Sequence, residues 1–452
     1  MTKQYQMYVH MMSLLALAGV IALWQLGSAP VAVKEQEARI APRAPIFDEV
    51  AAILATHYDG EVDYDLLYDG ALVGMAKSLG DEYTTVLPPV QAKRSEEMNR
   101  GVFGGIGVNI WRVEEGLAVI SLFIDGPADQ AGLEVGDRII SVEGKSLTEI
   151  PSEEWATRIK GEEGSKVRLG VLRKGETIEK IVTRAAVYSP SVVGVDLIDG
   201  TKVGYLHISS FSEQTAQQFE NAIEKLKGLG MSSLIVDLRF NGGGVLTAST
   251  KIADAFIAEE GKVIVSVGAV SKAKRERVLA GEVPGADMSN RAYLSEDDSA
   301  IVNVPTVVLM NGNSASASEI LAGALQDHQL ALVVGERSFG KGLVQQKIQL
   351  QSNPQYFVKV TTASYFTPLG NHLWRPDSTQ AGGIEPDVMH LLTSAEQSKL
   401  RTRLNFLLSD RQTRGDFEFE GELKEVTTQW IDPQLETAVA LLQGKTVSLP
   451  AR

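Results

Sequence analysis

The sequence predicts a multidomain α+β chain: a helical N-terminal region, a compact β-rich module, an α/β layer and a helical tail. Three observations predict it. Apolar residues recur at helical spacing between Phe47 and Met75, and short β-like runs with turn glycines fill Val102 to Arg184. From Lys202 onward, strands alternate with amphipathic helices. At 452 residues the chain has room for two or three domains.

The first element is apolar. From Gln4 to Val33 there is no Asp, Glu, Lys or Arg, and the heart of this run, Met11 to Leu26, is 16 residues long. That length lies between the apolar region of a signal peptide and a membrane span of about 20 residues. Gly27-Ser28-Ala29 offers a small-residue cleavage site, but Pro30 would follow the cut, so an uncleaved anchor is preferred over a cleaved signal. Lys3 precedes the run while Lys34, Arg39 and Arg43 follow it, so the positive-inside rule does not support export of the body. Lys34 to Phe47, with two prolines and mixed charge, reads as a linker.

Helical spacing then joins Phe47, Val50, Ile53 and Leu54, and again Leu66, Leu67, Leu72 and Met75, ending near Gly80. "VLPPV" (Val86 to Val90) stops this region, and a short charged helix leads to Arg100. The β-rich module takes "GLAVISLF", "DRIISVEG" and a hairpin around Lys174-Gly175, with a short helix in "IPSEEWATRIKG". In the α/β layer, "KVGYLHI" and "SSLIVDLRF" are strands flanking the amphipathic helix Thr215 to Gly230. "TASTKIADAFI", "TVVLM", "SEILAGALQDH" and "ALVVGE" continue it, and the tail from Thr393 is polar and helical.

The formal net charge of −14 argues against a nucleic-acid surface. The absence of cysteine excludes disulfides, a thiol nucleophile and a Cys-ligated metal.

Three segments carry candidate chemistry. Asn241-Gly242-Gly243-Gly244 ends a buried strand, where ligands favour an α/β sheet, and its amides can approach an oxyanion; taken alone, a plain tight turn is the more common explanation. In "NGNSASASEI" (Asn311 to Ile320), Ser316 and Glu319 fit a capping box, and the same helix mouth offers positive potential to a nucleophilic serine. That serine needs a base. The six histidines are poor candidates, no G-x-S-x-G elbow accompanies them, and a Ser-His-Asp triad stays open only as a geometry. Lys341, wedged in "FGKGLV", can lose solvation and hence its proton, against the bland reading of a solvated surface lysine. Gln345 lies four residues on, about 13 Å in extended chain, within reach of two long side chains.

Together these segments resemble the C-terminal processing peptidases, tail-specific serine proteases with an embedded PDZ domain. "FGGIG" (Phe103 to Gly107) looks like their carboxylate-binding loop, followed by "GPADQAGLEVGDRIISVEG". "DLRFNGGG" resembles the D-L-R-x-N-P-G-G oxyanion motif, with Gly242 in place of the proline. "NSASASEI", "FGKGLVQ", "TTASYFTPLG" and "GGIEPD" match the remaining motifs.

The resemblance implies a crotonase/ClpP-like serine protease core and five regions: anchor or signal 1–33, linker and helices 34–100, PDZ domain 101–187, protease core 188–392 and helical region 393–452. It implies Ser316 as nucleophile, Lys341 as general base, Gln345 orienting it, and the amides of Gly243 and Ala317 as the oxyanion hole. The amides of Gly105, Ile106 and Gly107 would receive a substrate's C-terminal carboxylate. No cofactor or metal is implied. The implied partners are protein substrates through their C-termini, with a delivery or adaptor protein, a homo-oligomer and the inner membrane as further ones. The implied location is periplasmic or otherwise extracytoplasmic, with the N-terminal segment anchoring the chain to the inner membrane. A catalytically silent PDZ adaptor and a Ser/Lys amidase are the competing classes; loss of Ser316 or Lys341 would mark the first, absence of "FGGIG" the second.

Overall fold

The computed structural model describes residues 44–114, 116–268, 292–296, 300–375, 382–407, 424–426 and 429–446. The apolar N-terminal run lies outside them. Among the described residues, no helix is long and apolar enough to cross a membrane.

The chain divides into two units, the first ending at Glu82. The first holds helices α1 (Ala44–His57) and α2 (Tyr64–Lys77). Asp63 caps α2 by accepting from Leu66 N, and Tyr68 donates to Asp48 at 2.7 Å across the pair.

The second unit begins with strand β1 (Thr85–Leu87) and helix α3 (Pro89–Arg100), which starts on proline and closes on left-handed Gly101. The β-rich module follows. Strand β2 (Val102–Gly105) pairs with β9 (Ala185–Tyr188). Strands β3 (Val108–Val113), β4 (Gly116–Leu122), β5 (Arg138–Val142), β7 (Lys166–Arg173) and β8 (Glu176–Thr183) form an antiparallel sheet in that order, with β6 (Lys145–Ser146) beside β5. The turn between β7 and β8 is Lys174-Gly175, both at positive φ as a two-residue hairpin requires. Helices α4 (Pro127–Gln130) and α5 (Trp155–Ile159) cover the module's own core. Among the described residues β3, at the outer edge, pairs only with β4.

The α/β layer is a six-stranded sheet: β10 (Val192–Leu197), β11 (Val203–Ile208), β12 (Ser233–Asp237), β15 (Thr306–Met310), β16 (Ala331–Gly335) and β19 (Val388–Met389). β10 is antiparallel and the remaining neighbours are parallel. Side chains alternate between two cores. Leu234, Val236, Val308 and Met310 pack under helices α6 (Thr215–Gly228), α7 (Leu246–Asp254) and α8 (Ala317–Asp327). Ile235, Val307 and Leu309 face Ala438 of α10 (Pro433–Leu442) on the opposite side. Burial on both faces explains why "SLIVD" and "TVVLM" read as continuous apolar runs. A second sheet joins β13 (Val263–Gly268), β14 (Ala292–Leu294), β17 (Leu343–Gln349) and β18 (Phe357–Phe366) to β1. Helix α9 (Ser394–Leu407) packs through Leu400, Leu404 and Leu407 beside Phe240.

Candidate active site

Three neighbouring parallel strands, β12, β15 and β16, end side by side, and each delivers one loop of the site from its C-terminal end. β12 runs into Asp237–Gly244, β15 into Asn311–Ser316, and β16 into Glu336–Gly342.

The three serines of "SASAS" have different fates. Ser314 is fully buried; its Oγ donates to Leu238 O at 2.8 Å and accepts from Asn311 N at 3.0 Å. Ser318 is also buried and donates to Asn241 O at 2.9 Å. These two hydroxyls fasten the β15 loop to the β12 loop. Ser316 stands between them, half-buried, with φ 56° and ψ −111°. A left-handed φ at a non-glycine residue is strained, and strain of this kind clusters at functional sites.

Glu319 decides how the second and third loops meet. Its carboxylate is fully buried and accepts four hydrogen bonds: Ser316 N at 2.7 Å, Lys341 N at 2.9 Å, Gly340 N at 2.6 Å and Ser338 Oγ at 2.6 Å. Burial pushes this carboxyl up from its ordinary range, and the four donors pull it back. Ser316 N and Lys341 N share one carboxylate oxygen, so the two candidate residues are neighbours although 25 positions separate them. The sequence showed Glu319 as a helix-capping residue; its role as a clamp across two loops had no local signal.

Lys341 is half-buried. Burial lowers its pKa, the charge of Lys359 lowers it further, and Glu319 opposes both. Its Nζ lies 5.4 Å from the centroid of the Tyr83 ring. Tyr83 is held there because β1 pairs with β18 and Thr361 N donates to Thr84 Oγ1 at 3.1 Å. Ser316 Oγ and Lys341 Nζ are not hydrogen-bonded to each other. Gln345 does not bond to Lys341 either; its Nε2 donates to Leu343 O at 3.2 Å. Three of the histidines bond elsewhere: His207 Nδ1 with Asp237 O, His328 Nε2 with Val263 O, and His390 Nδ1 with Thr437 Oγ1.

Gly243 presses against the serine. A Cβ there would come within 2.8 Å of Ser316 Cβ and 2.7 Å of Ala315 O, at φ 101°. Gly243→Ala is therefore expected to lower turnover by at least tenfold while leaving thermal stability within a few degrees. Steady-state kinetics beside a melting curve checks this. The amide of Gly243 is engaged: it donates to Asn241 Oδ1 at 2.9 Å, closing a turn across Gly242 where the family motif places proline. Ala317 N, by contrast, has no protein acceptor among the described residues.

Behind the loop lies a buried ion network that sequence reading missed. Arg239 is 1% exposed and binds Asp237 through Nε and Nη2, Asp432 through Nη1 and Nη2, and Gln434 Oε1 through Nη1. Tyr205 donates to Asp237 Oδ2 at 2.9 Å. The next residue, Phe240, takes φ 60°, held by Asn311 Oδ1 on its amide and the Arg401 guanidinium 4.9 Å from its ring.

In the β-rich module, Ile106 is buried in the "FGGIG" turn, its carbonyl accepting from Ala128 N, while Gly107 at φ 74° accepts from Phe123 N. Gly105 lies in β2, paired with Ala185. The turn opens onto a groove of about 680 Å³ between β3 and α5.

Comparison with known proteins agrees with this architecture. The Peptidase family S41 model matches residues 202–390, which hold Gly243, Ser316, Ala317, Lys341 and Gln345, and a PDZ domain model matches residues 124–173. Together they define a PDZ-bearing serine hydrolase of the peptidase class. A carboxy-terminal-processing protease of Bartonella bacilliformis is 31% identical over 354 residues, covering 76% of this chain and 74% of that protein. Carboxy-terminal processing protease CtpA of Bacillus subtilis is 32% identical over 336 residues, covering 74% of this chain and 66% of that protein. Among solved structures, a photosystem II D1 C-terminal processing protease aligns at 27% identity over 81% of this chain and 92% of that one, with a TM-score of 0.40. The chain belongs to the carboxy-terminal processing proteases of peptidase family S41. It spans about two thirds of the length of the Bacillus relative.

Proposed function

We propose that this protein is a serine endopeptidase acting through an acyl-enzyme, with Ser316 as nucleophile and Lys341 as general base. The observation that carries the reading is the Glu319 carboxylate shared by the amides of Ser316 and Lys341. Lys341, depressed by burial and by Lys359, accepts the Ser316 proton. The alkoxide attacks the scissile carbonyl; Ala317 N–H and an amide of the Gly242–Gly244 turn receive the oxyanion. Lys341 returns the proton to the leaving amine, and water then hydrolyses the ester. The Lys341 stem must swing from Tyr83 toward Ser316, and Gln345 serves to orient the amine once it has done so.

Substrate tails enter the PDZ groove, the carboxylate at Gly105-Ile106-Gly107 and the chain adding as a strand to the free edge of β3. The apolar run Met11 to Leu26 and the family membership support an extracytoplasmic, periplasmic body held by an N-terminal anchor.

The direct test compares exported proteins from cells carrying wild type and Ser316→Ala by mass spectrometry. Longer C-termini are expected in the variant; identical termini would refute the assignment and favour a silent adaptor. A second test reads the base. Lys359→Gln removes a positive charge that disfavours protonated Lys341, so the acidic limb of kcat/KM should move to higher pH. A limb that stays in place would exclude Lys341 as the titrating group.

A further inference from the structure

The groove between β3 and α5 is apolar along its length and cationic at both ends. At the end nearest the "FGGIG" turn, Lys160 Nζ lies 4.0 Å from the centroid of the Phe103 ring. Its place is fixed by backbone contact: Gly161 N donates to Gly104 O at 3.1 Å, and a Cβ at Gly104 would fall 2.0 Å from Gly161 O. At the other end the Arg112 guanidinium sits 5.3 Å from the Trp155 ring centroid. Arg112 shares a face of β3 with Val108 and Ile110, which pack on the module's core.

Among the described residues neither cation has a carboxylate at ion-pair distance, whereas neighbouring Arg158 pairs with Glu154 at 2.8 Å and Lys93 with Glu162 at 3.2 Å. Lys160 is faced from α3 by Glu97 and Arg94, whose charges oppose each other. Two cations in one groove, without a carboxylate partner among the described residues, in a chain with net charge −14 call for an anionic occupant.

We propose that this groove selects substrate tails by two charges: the terminal carboxylate at Lys160, and an acidic side chain four or five residues upstream at Arg112, with apolar residues between. The inference rests on the reading that tails enter this groove. The spacing follows from β3, whose five steps from Gly107 to Arg112 cover about 17 Å at 3.3 Å per residue, and an added strand advances at the same rate. Lys160 thereby supplements the loop amides, which hold a carboxylate by dipole alone.

The test measures binding of fluorescent ten-residue peptides to the full chain carrying Ser316→Ala, so that bound tails are not cleaved. The peptides have free or amidated C-termini, and Asp or Asn at the fourth and fifth positions upstream. With Lys160 in place, amidation should weaken binding about tenfold or more, and this penalty should shrink several-fold in Lys160→Met. Asp to Asn in the peptide should cost about threefold to fivefold, and nothing in Arg112→Gln. Ala156→Trp, on the exposed groove face of α5, fills the groove and should abolish binding of every tail. Penalties unchanged by Lys160→Met and Arg112→Gln, with Ala156→Trp still blocking, would overturn the two-charge inference and leave groove binding intact. Unaltered binding to Ala156→Trp would overturn the groove reading itself.

Discussion

Lys341→Met is expected to cut cleavage of an unstructured protein substrate by on the order of 10³-fold to 10⁴-fold, to the level of Ser316→Ala. On the proposed mechanism the two residues act as one unit, so the double variant should be no slower than either single one. The methionine preserves the buried stem of the lysine and removes only the amine. Its Tm should therefore stay close to wild type, and a large drop would point to unfolding instead.

Glu319→Gln adds a discriminating arm. The amide keeps the volume but turns one oxygen into a donor, which then faces either the N–H of Gly340 or those of Ser316 and Lys341. The lysine loop then loses its register with the serine loop, and turnover is expected to fall by about a hundredfold. A Glu319→Gln enzyme with wild-type turnover would show that the clamp is only a helix cap.

The second large effect concerns stability. Arg239→Met should destabilise the chain by about 3–5 kcal/mol, because it leaves Asp237 and Asp432 as two buried carboxylates without their cation. The melting temperature should fall by about 3–5 °C for a chain of this size. The pH dependence supplies the sign. In wild type, burial pushes Asp237 up, but the charge and hydrogen bonds of Arg239 outweigh it and hold the carboxyl below its ordinary value of 3.8. Its contribution is thus present above that value and lost as pH falls through the lower folded pKa. Without Arg239, burial wins and the folded pKa rises above the unfolded one. The variant's deficit should therefore be deepest near neutral pH and shrink in mild acid. Thermal melts of both proteins from neutral pH to mild acid check this; a deficit that grows in acid would contradict it.

These predictions draw unevenly on what the chain alone displays. Its strands and helices were legible because each is a local pattern: "TVVLM" and "SLIVD" are buried on both faces, and Lys174-Gly175 is a hairpin turn by its own torsions. The serine, the lysine loop and the glycine turn were legible as motifs. Their partners were not. Glu319 looked like a capping residue because its nearest bond is to Ser316, three residues away, while the bonds to Gly340 and Lys341 close only when β15 and β16 lie side by side.

Two expectations about the site rested on reach and changed in the folded chain. Gly243 was expected to present its amide to an oxyanion; that amide is bound by Asn241 Oδ1, because an asparagine two residues upstream closes the turn that proline would otherwise stiffen. Gln345 was within reach of Lys341 in extended chain, but it lies in β17 beside a register shift, and its amide turns back to Leu343 O. Tyr83 carried no signal and Arg239 showed only as a letter of the "DLRFNGGG" motif, since Tyr83 meets Lys341 only through the pairing of β1 with β18 and Arg239 meets Asp432 across 193 positions.

By itself, then, the sequence determined the main elements, the family and the motifs that make Ser316 and Lys341 the candidates, all of which reside in short windows of residue type and spacing. Only the tertiary structure decided which carboxylate joins the two loops, which amides remain open, where the lysine rests and which charges the groove presents. Those depend on contacts between segments far apart in the chain, and a hydrogen bond or a buried charge has no period that a one-dimensional pattern can carry.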